Sequence, residues 1–312
     1  FVFGDSLVDV GNNNYIVTLS RANYPPNGQQ LGLKAFPPPY LAPGTRVSAI
    51  MHGVNYASGG GGILNSTGRI FIGRLNMDAQ LDNFANTRHD LIKSIGEIAT
   101  NKFLEKALYS ITIGSNDFIN NYLTPVISTL KQKLVSPEAF VNSMISKYRM
   151  QLTRLHKMGA KKILVVNVGP IGCIPYIRDL NPSAGNNCVA FPNQLAQSFN
   201  LRLKTLVNEL SINFQASQFV YADVYHIVDD LLNNYISYGF ENVNSSCCHM
   251  RGRFGGSIPC NPLSKVCKNR SKYVFWDPYH PTDAANVFIA RRLVDGDTSA
   301  ISPINIRQLV FS

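Results

Sequence analysis

Phe1-Val2-Phe3-Gly4-Asp5-Ser6-Leu7 is the stretch on which the fold turns. Three apolar residues run straight into Gly-Asp-Ser, the pattern of a buried strand that ends at Gly4 and leaves one hydroxyl just past its carboxyl end. In open α/β sheets ligands bind at that end, so Ser6 is a candidate nucleophile. It is equally a candidate cap for a following helix. Outward from this stretch, short apolar runs alternate with longer helical patterns, as in a parallel sheet of the α/β class. Strands are predicted at Phe1–Gly4, Val54–Ala57, Tyr109–Ile113, Ile163–Val168 and Phe219–Ala222. Helices are predicted around Leu81–Phe84 and at Pro137–Met158, Phe199–Leu210, Val224–Asn234 and Thr282–Leu293. Phe199, Leu203, Leu206, Val207 and Leu210 recur at helical spacing. Ser136-Pro137 reads as a cap followed by a first helical residue. There is no internal repeat, linker or low-complexity tract. Pro25-Pro26 and Pro37-Pro38-Pro39 read as extended loops, so residues 1–312 are expected to form one domain.

Composition narrows the class. Hydrophobic residues make up 45% of the 312 and charged residues 15%, enough to build a large core. No apolar run reaches the roughly eighteen residues that a membrane span needs. The chain opens inside a core strand, so a removed N-terminal piece such as a signal peptide is expected. The net charge of +10 comes from dispersed Lys and Arg, of which the densest groups are the pairs Lys161-Lys162 and Arg291-Arg292. That distribution fits weak attraction to an anionic wall or membrane surface better than nucleic-acid binding, for which no module is present. Cys173, Cys188, Cys247, Cys248, Cys260 and Cys267 are even in number, and four of them crowd into one loop-like stretch. Three disulfides formed in an oxidising compartment are expected, with the pairing left open. Zinc is the rival, but no CxxC pair is present and only His249 lies nearby. Sequons at Asn65, Asn244 and Asn269 also point to secretion.

Three further segments carry chemistry. Trp276-Asp277-Pro278-Tyr279-His280-Pro281 places a carboxylate three residues before a histidine, close enough to orient the ring and stabilise its imidazolium. His280 could then take a proton from Ser6. In Ile113-Gly114-Ser115-Asn116-Asp117 a strand end presents a side-chain amide that could donate to an oxyanion, although Asn116 or Asp117 could instead cap a helix. Asn55-Tyr56-Ala57-Ser58-Gly59-Gly60-Gly61-Gly62 could donate from backbone amides; without a following Gly-Lys-Ser/Thr it is not a phosphate loop. Asp5 is expected to support the turn at Ser6, and Asp117 to cap a helix. His52, His89, His156, His226 and His249 have no comparable setting and read as structural or surface residues.

Taken in order, these four blocks resemble the GDSL esterases/lipases of the SGNH hydrolase superfamily, in particular the large secreted plant group. The resemblance covers nearly the whole chain. It implies a three-layer α/β/α sandwich with a flavodoxin-like, parallel five-stranded sheet. It also implies Ser6 as nucleophile, His280 as general base and Asp277 as its orienting acid. The oxyanion donors would be the amides of Ser6 and Gly60 and the side chain of Asn116. The implied activity is hydrolysis of a carboxylic ester, an acyl lipid or a cell-wall ester, through an acyl-enzyme. No cofactor or metal is implied, and a monomer is expected. Two rival functions share the fold: a non-catalytic lipid- or glycan-binding protein, and an acyltransferase using the same triad. One departure stands out. A family segment of about twenty residues after Gly28 is missing, and it would supply the first crossover helix, which needs a dozen or more residues. One sheet face is therefore expected to be thinly covered near the first two strands, with lowered stability and exposed apolar surface.

Overall fold

The computed structural model describes residues 1–21, 37–45, 50–125 and 133–312. β1 (Val2–Gly4), β2 (Leu108–Thr112), β3 (Lys162–Val166) and β4 (Gln218–Ala222) pair in that order, all parallel, with Phe3 beside Ile111, Ile111 beside Val165 and Val165 beside Tyr221. The central strands are continuous apolar runs because both of their faces are covered. Ile163, Val165, Phe219 and Tyr221 join the larger core, which includes Phe84, Tyr148, Leu152, Phe199 and Leu203. Alternate residues Leu164, Val166, Val220 and Ala222 pack with Ile227, Leu293, Ile301 and Leu309 in a second cluster. The period of two thus divides each strand between two helical layers, giving the α/β/α sandwich. Helices Met77–Ile95, Pro137–Lys157 and Ala190–Asn213 line the first cluster, and Val224–Asn233 and Asp283–Asp295 the second. Ser136 caps its helix as expected, accepting from the Ala139 amide.

Val54–Ala57 lies on the outer side of β1, as the flavodoxin-like order requires. Val2 N–H donates to Val54 O, Tyr56 N–H to Val2 O and Ser58 N–H to Gly4 O. It pairs there through isolated bridges and not as a continuous strand. The reason is local: Gly4 N–H, which would donate to Tyr56 O in a continued ladder, donates to Gln80 Oε1 instead, while the outer edge is taken up by the Asn12 side chain on Asn55 O and Ala57 O and by Pro38 O on the Asn55 amide. The fifth strand that completes the sheet is one the sequence reading missed. β9 (Ile301–Ser302) runs antiparallel on the far edge of β4. Its two residues are too few to show a period.

The expected loss of the first crossover helix falls on residues outside those described. Among the described residues near it, Phe1, Phe3, Val54 and Tyr56 are buried, and Val2, Leu108, Ser110 and Thr112 are half-buried. The Phe3 and Tyr56 rings stack at 4.9 Å, and Phe1 meets Phe84 and Tyr109 at 5.3 Å each. Full burial of such a side chain contributes about 1.5–3 kcal/mol, so this aromatic cluster anchors the edge at which Ser6 emerges.

A smaller sheet and a stapled ribbon carry the chain toward His280. β5 (Asn242–Ser246) pairs in parallel with β8 (Tyr273–Phe275), and β6 (Cys248–His249) pairs antiparallel with β7 (Lys265–Val266). The cysteines join as Cys173–Cys188, Cys247–Cys267 and Cys248–Cys260, across separations of 15, 20 and 12 residues. In a chain-entropy account each closure contributes about 3 kcal/mol. All six thiols are consumed, which leaves the zinc reading without its thiolate ligands. Among the described residues, no helix is long and apolar enough to cross a membrane.

Candidate active site

β1 ends at Gly4 because a side chain there would meet Thr112 O at 2.2 Å, so only glycine lets the chain turn against β2. Gln80, on the helix Met77–Ile95, clamps the turn: its amide accepts from Gly4 N–H and donates to Gly4 O. Asp5 supports the turn as predicted, accepting from Leu7 N–H. Ser6 follows, half-buried. Some 270 residues later, β8 delivers Asp277 and His280 to the same point. The ribbon fixes that delivery, since Cys247 N–H donates to Phe275 O, Cys248 N–H to Trp276 O and Trp276 N–H to His280 O.

His280 Nε2 lies 2.7 Å from Ser6 Oγ, and His280 Nδ1 lies 2.9 Å from both carboxylate oxygens of Asp277. An ionised carboxylate only accepts, so Nδ1 carries the proton and Nε2 is left to accept from the Ser6 hydroxyl. Asp277 Oδ1 also accepts from the amides of Tyr279 and His280, which fixes the carboxylate to its own loop. Burial alone would raise the Asp277 pKa. The His280 charge and hydrogen bond, with the two amides, outweigh it and hold the carboxyl below its usual 3.8. For His280 burial acts the other way, yet the charge and hydrogen bond of Asp277, and then the charge of Asp5, raise it above 6.5.

Three groups are candidate donors near Ser6. The Ser6 and Gly60 amides donate to no acceptor among the described residues, while their neighbours are engaged. Asp5 N–H donates to Thr112 O, Gly59 N–H to Asp9 Oδ2, Gly61 N–H to Ser58 O and Gly62 N–H to Asn76 Oδ1. Gly60 takes φ of 79°, and a side chain on it would strike Phe71 Cδ2 at 2.4 Å. Asn116 has its amide orientation fixed by chemistry. The Gly61 carbonyl can only accept, so it must face Nδ2, at 3.0 Å. Oδ1 then faces Asn120, whose amide donates to it at 2.5 Å. One N–H of Asn116 remains for a substrate. Asn120 escaped the sequence reading; its only signal is a second asparagine four residues after Asn116, one helical turn on.

Asp117 does not cap a helix, contrary to expectation. Its side chain makes no cap hydrogen bond; it reaches into the glycine loop instead and accepts from the Ile63 and Leu64 amides and the Thr67 hydroxyl. The glycine loop needs these buried acceptors because its successive amides cannot pair in a sheet. Asp9 and Asn76 likewise accept the Gly59 and Gly62 amides, while Asn13 donates to Gly59 O and accepts from the Ser58 hydroxyl; all three escaped the sequence reading. Nothing in their local spacing announces partners 14 to 50 residues away. Burial pushes Asp117 up to about 6 against those donors, and Asp5 up to about 7 against Leu7 N–H and the charge of His280. The other histidines lie apart from this site: His156 stacks on Phe214 and bonds Ser217, and His52, His89 and His226 are exposed. Of the sequons, Asn65 and Asn269 are exposed and Asn244 is half-buried in β5.

A serine, a histidine and an aspartate in hydrogen-bonded series at the carboxyl end of β1, beside a glycine loop and an oriented asparagine, is an arrangement suited to acyl transfer. Known proteins point the same way. A GDSL esterase/lipase of Arabidopsis thaliana is 61% identical, over 99% of this chain and 90% of the relative. Two further Arabidopsis thaliana GDSL esterase/lipases are 47% and 46% identical over 99% of this chain, covering 90% and 87% of their own lengths. The first alignment runs to 330 positions against the 312 residues here, so that relative carries residues this chain lacks. The GDSL-like Lipase/Acylhydrolase family matches residues 1–293. With the ordered blocks, the sheet order and the relatives in agreement, the chain belongs to the GDSL-like lipase/acylhydrolase family.

Proposed function

We propose that this chain is a secreted carboxylic ester hydrolase that works through an acyl-enzyme on Ser6. The observation that supports it most is the hydrogen-bonded series Ser6–His280–Asp277. Ser6 Oγ attacks the ester carbonyl carbon as its proton passes to His280 Nε2. The tetrahedral oxyanion is met by the Ser6 and Gly60 amides and Asn116 Nδ2, each donor contributing about 3 kcal/mol. The carbon–oxygen bond to the alcohol breaks as the imidazolium returns the proton to it. Water then repeats the sequence, releasing the acid and restoring Ser6. Asp277 remains ionised throughout, stabilising the imidazolium. The three disulfides fit an oxidising, extracellular setting.

A fluorophosphonate probe tests the nucleophile. The folded protein is expected to be labelled on Ser6, with labelling lost in Ser6→Ala. A folded protein that takes no label would favour the non-catalytic binder. With a panel of alcohols present, free acid is expected as the dominant product; dominant ester exchange would favour the acyltransferase.

The raised pKa of His280 predicts a pH profile. The base must be neutral, so kcat/KM should rise with pH through an apparent pKa above 6.5. Asp5 titrates in the same range, near 7, and its ionised form favours the imidazolium. Asp5→Asn should therefore move the acid limb to lower pH. A wild-type midpoint at or below 6.5, or a shift to higher pH in the variant, would count against this coupling. Stability follows the same shifts. The His280 contribution is full below 6.5 and is lost as pH rises through its folded pKa. That of Asp277 is present above 3.8 and is lost as pH falls through its folded pKa.

A further inference from the structure

Beside the oxyanion loop, residues 15–21 and 69–73 run past one another, joined by the antiparallel bridge between Thr18 and Ile72 and by Leu19 N–H donating to Phe71 O. Their patterning is inverted. In a surface ribbon the water-facing positions are ordinarily polar. Here Ile16, Thr18 and Ser20 are half-buried, while Val17 and Leu19 face solvent at 79% and 71% exposure. Across from them Ile70 and Ile72 are 48% and 64% exposed.

Ile72 carries a second, independent mark. It has φ of 69° and ψ of −77°, and Gly73 N–H donates to Phe71 O across it at 2.9 Å. That is a γ-turn of the rarer, strained hand. Among the described residues Ile72 is the one non-glycine residue with positive φ, and a β-branched side chain is among the worst suited to it. Glycine would be the unstrained choice, so the strain is retained together with an apolar side chain held out into water. Such outliers concentrate at sites of function.

Charge indicates what meets this face. Neither residues 10–21 nor residues 60–77 contain an acidic side chain, and Arg21 and Arg69 are exposed at the margins. Position ties it to the candidate site. The ring of Phe71, between the two isoleucines, occupies the space beside Gly60, and Ser20 lies against Gly59. Separate side chains this exposed form no groove for a single acyl chain. Apolar tips bordered by cations match the layered chemistry of a lipid surface, with acyl chains beneath anionic headgroups. We propose that Val17, Leu19, Ile70 and Ile72, flanked by Arg21 and Arg69, form a docking rim that seats the protein on an anionic lipid surface, with the catalytic serine at its edge. The proposal rests on the ester-hydrolase reading for its purpose, but its binding can be measured without catalysis.

The test is co-sedimentation of the whole chain with vesicles of equimolar phosphatidylcholine and phosphatidylglycerol. Binding is expected, and it should weaken at least tenfold in Val17→Ser/Leu19→Ser, with hydrolysis of soluble p-nitrophenyl acetate within twofold of wild type. Arg21→Gln/Arg69→Gln should weaken it severalfold. Ile72→Gly should weaken binding while raising Tm, a combination that a structural role for Ile72 does not produce. Wild type that ignores these vesicles, or binds polygalacturonate in their place, overturns the proposal. So does a Val17→Ser/Leu19→Ser variant that binds normally, one that loses the soluble-ester rate in parallel, or a lowered Tm in Ile72→Gly. Wild type that binds vesicles but hydrolyses no ester would leave the rim standing and remove the esterase reading.

Discussion

Replacing Ser6 by alanine is expected to lower kcat on a soluble ester by about 10⁵-fold or more, with Tm within about 2 °C of wild type. Ser6 is half-buried and, among the described residues, its hydroxyl has one partner, His280 Nε2, so the fold loses little with it. His280→Ala should cost a similar factor, and the double variant little more than either single one. The two act as a unit: without the base the hydroxyl is not activated, and without the hydroxyl the base has no proton to take. Asp277→Asn should fall by about 10⁴-fold for a different reason. An amide in place of the carboxylate can donate to Nδ1, which moves the imidazole proton to Nε2 and turns the base away from Ser6. Steady-state kinetics with thermal melts on the same preparations checks all four. Multiplicative losses in the double variant, or an Asp277→Asn enzyme within tenfold of wild type, would break the assignment of roles.

Gly60→Ala is expected to lower kcat roughly 10²–10³-fold and to lower Tm as well. Two effects combine at this position. The backbone has φ of 79°, which costs an L-residue about 1–2 kcal/mol. The added methyl would sit 2.4 Å from Phe71 Cδ2, and Gly60 O lies against Gly68, so neither the ring nor the loop can move freely. Relief of that overlap must shift the Gly60 amide, the donor that no other described residue engages. Gly96→Ala separates the two effects. Gly96 has nearly the same φ, 82°, and an added methyl there meets nothing within 4 Å. It should lose stability through backbone strain alone and keep its activity. A Gly60→Ala enzyme with kcat within threefold of wild type would remove Gly60 from the oxyanion site.

The parts of the site that proved legible are those whose chemistry is written locally. Gly4-Asp5-Ser6 carries its own strand end, and Asp277 and His280 lie in one loop, so their types and spacing suggest the pairing before any fold is known. The strands β3 and β4 were legible for a similar reason: burial on both faces leaves an unbroken apolar run. The supports were not legible. Asp117 looks like a helix cap from its neighbours, and only the tertiary structure shows it anchoring residues 63–67. Asp9 and Asn13 hold Gly59, and Asn76 holds Gly62, through hydrogen bonds spanning 14 to 50 residues of sequence. β9 was invisible because two residues have no period, and Val54–Ala57 reads as a strand although Gln80 takes the Gly4 N–H that would continue its ladder with β1.

By itself the sequence determined which residues could be nucleophile, base, acid and oxyanion donors, together with the alternation that builds the sheet. These depend on side-chain type and short-range spacing. The tertiary structure decided the rest: that His280 Nε2 stands 2.7 Å from Ser6 Oγ, that the Gly61 carbonyl and Asn120 turn the Asn116 amide the right way, and which cysteines pair. It also decided that Val17 and Leu19 face water. Hydrogen bonds need their atoms placed within a few tenths of an ångström and at a suitable angle, and exposure depends on every neighbour at once. Both are properties of positions in space, which the order of residues along the chain constrains only through the whole fold.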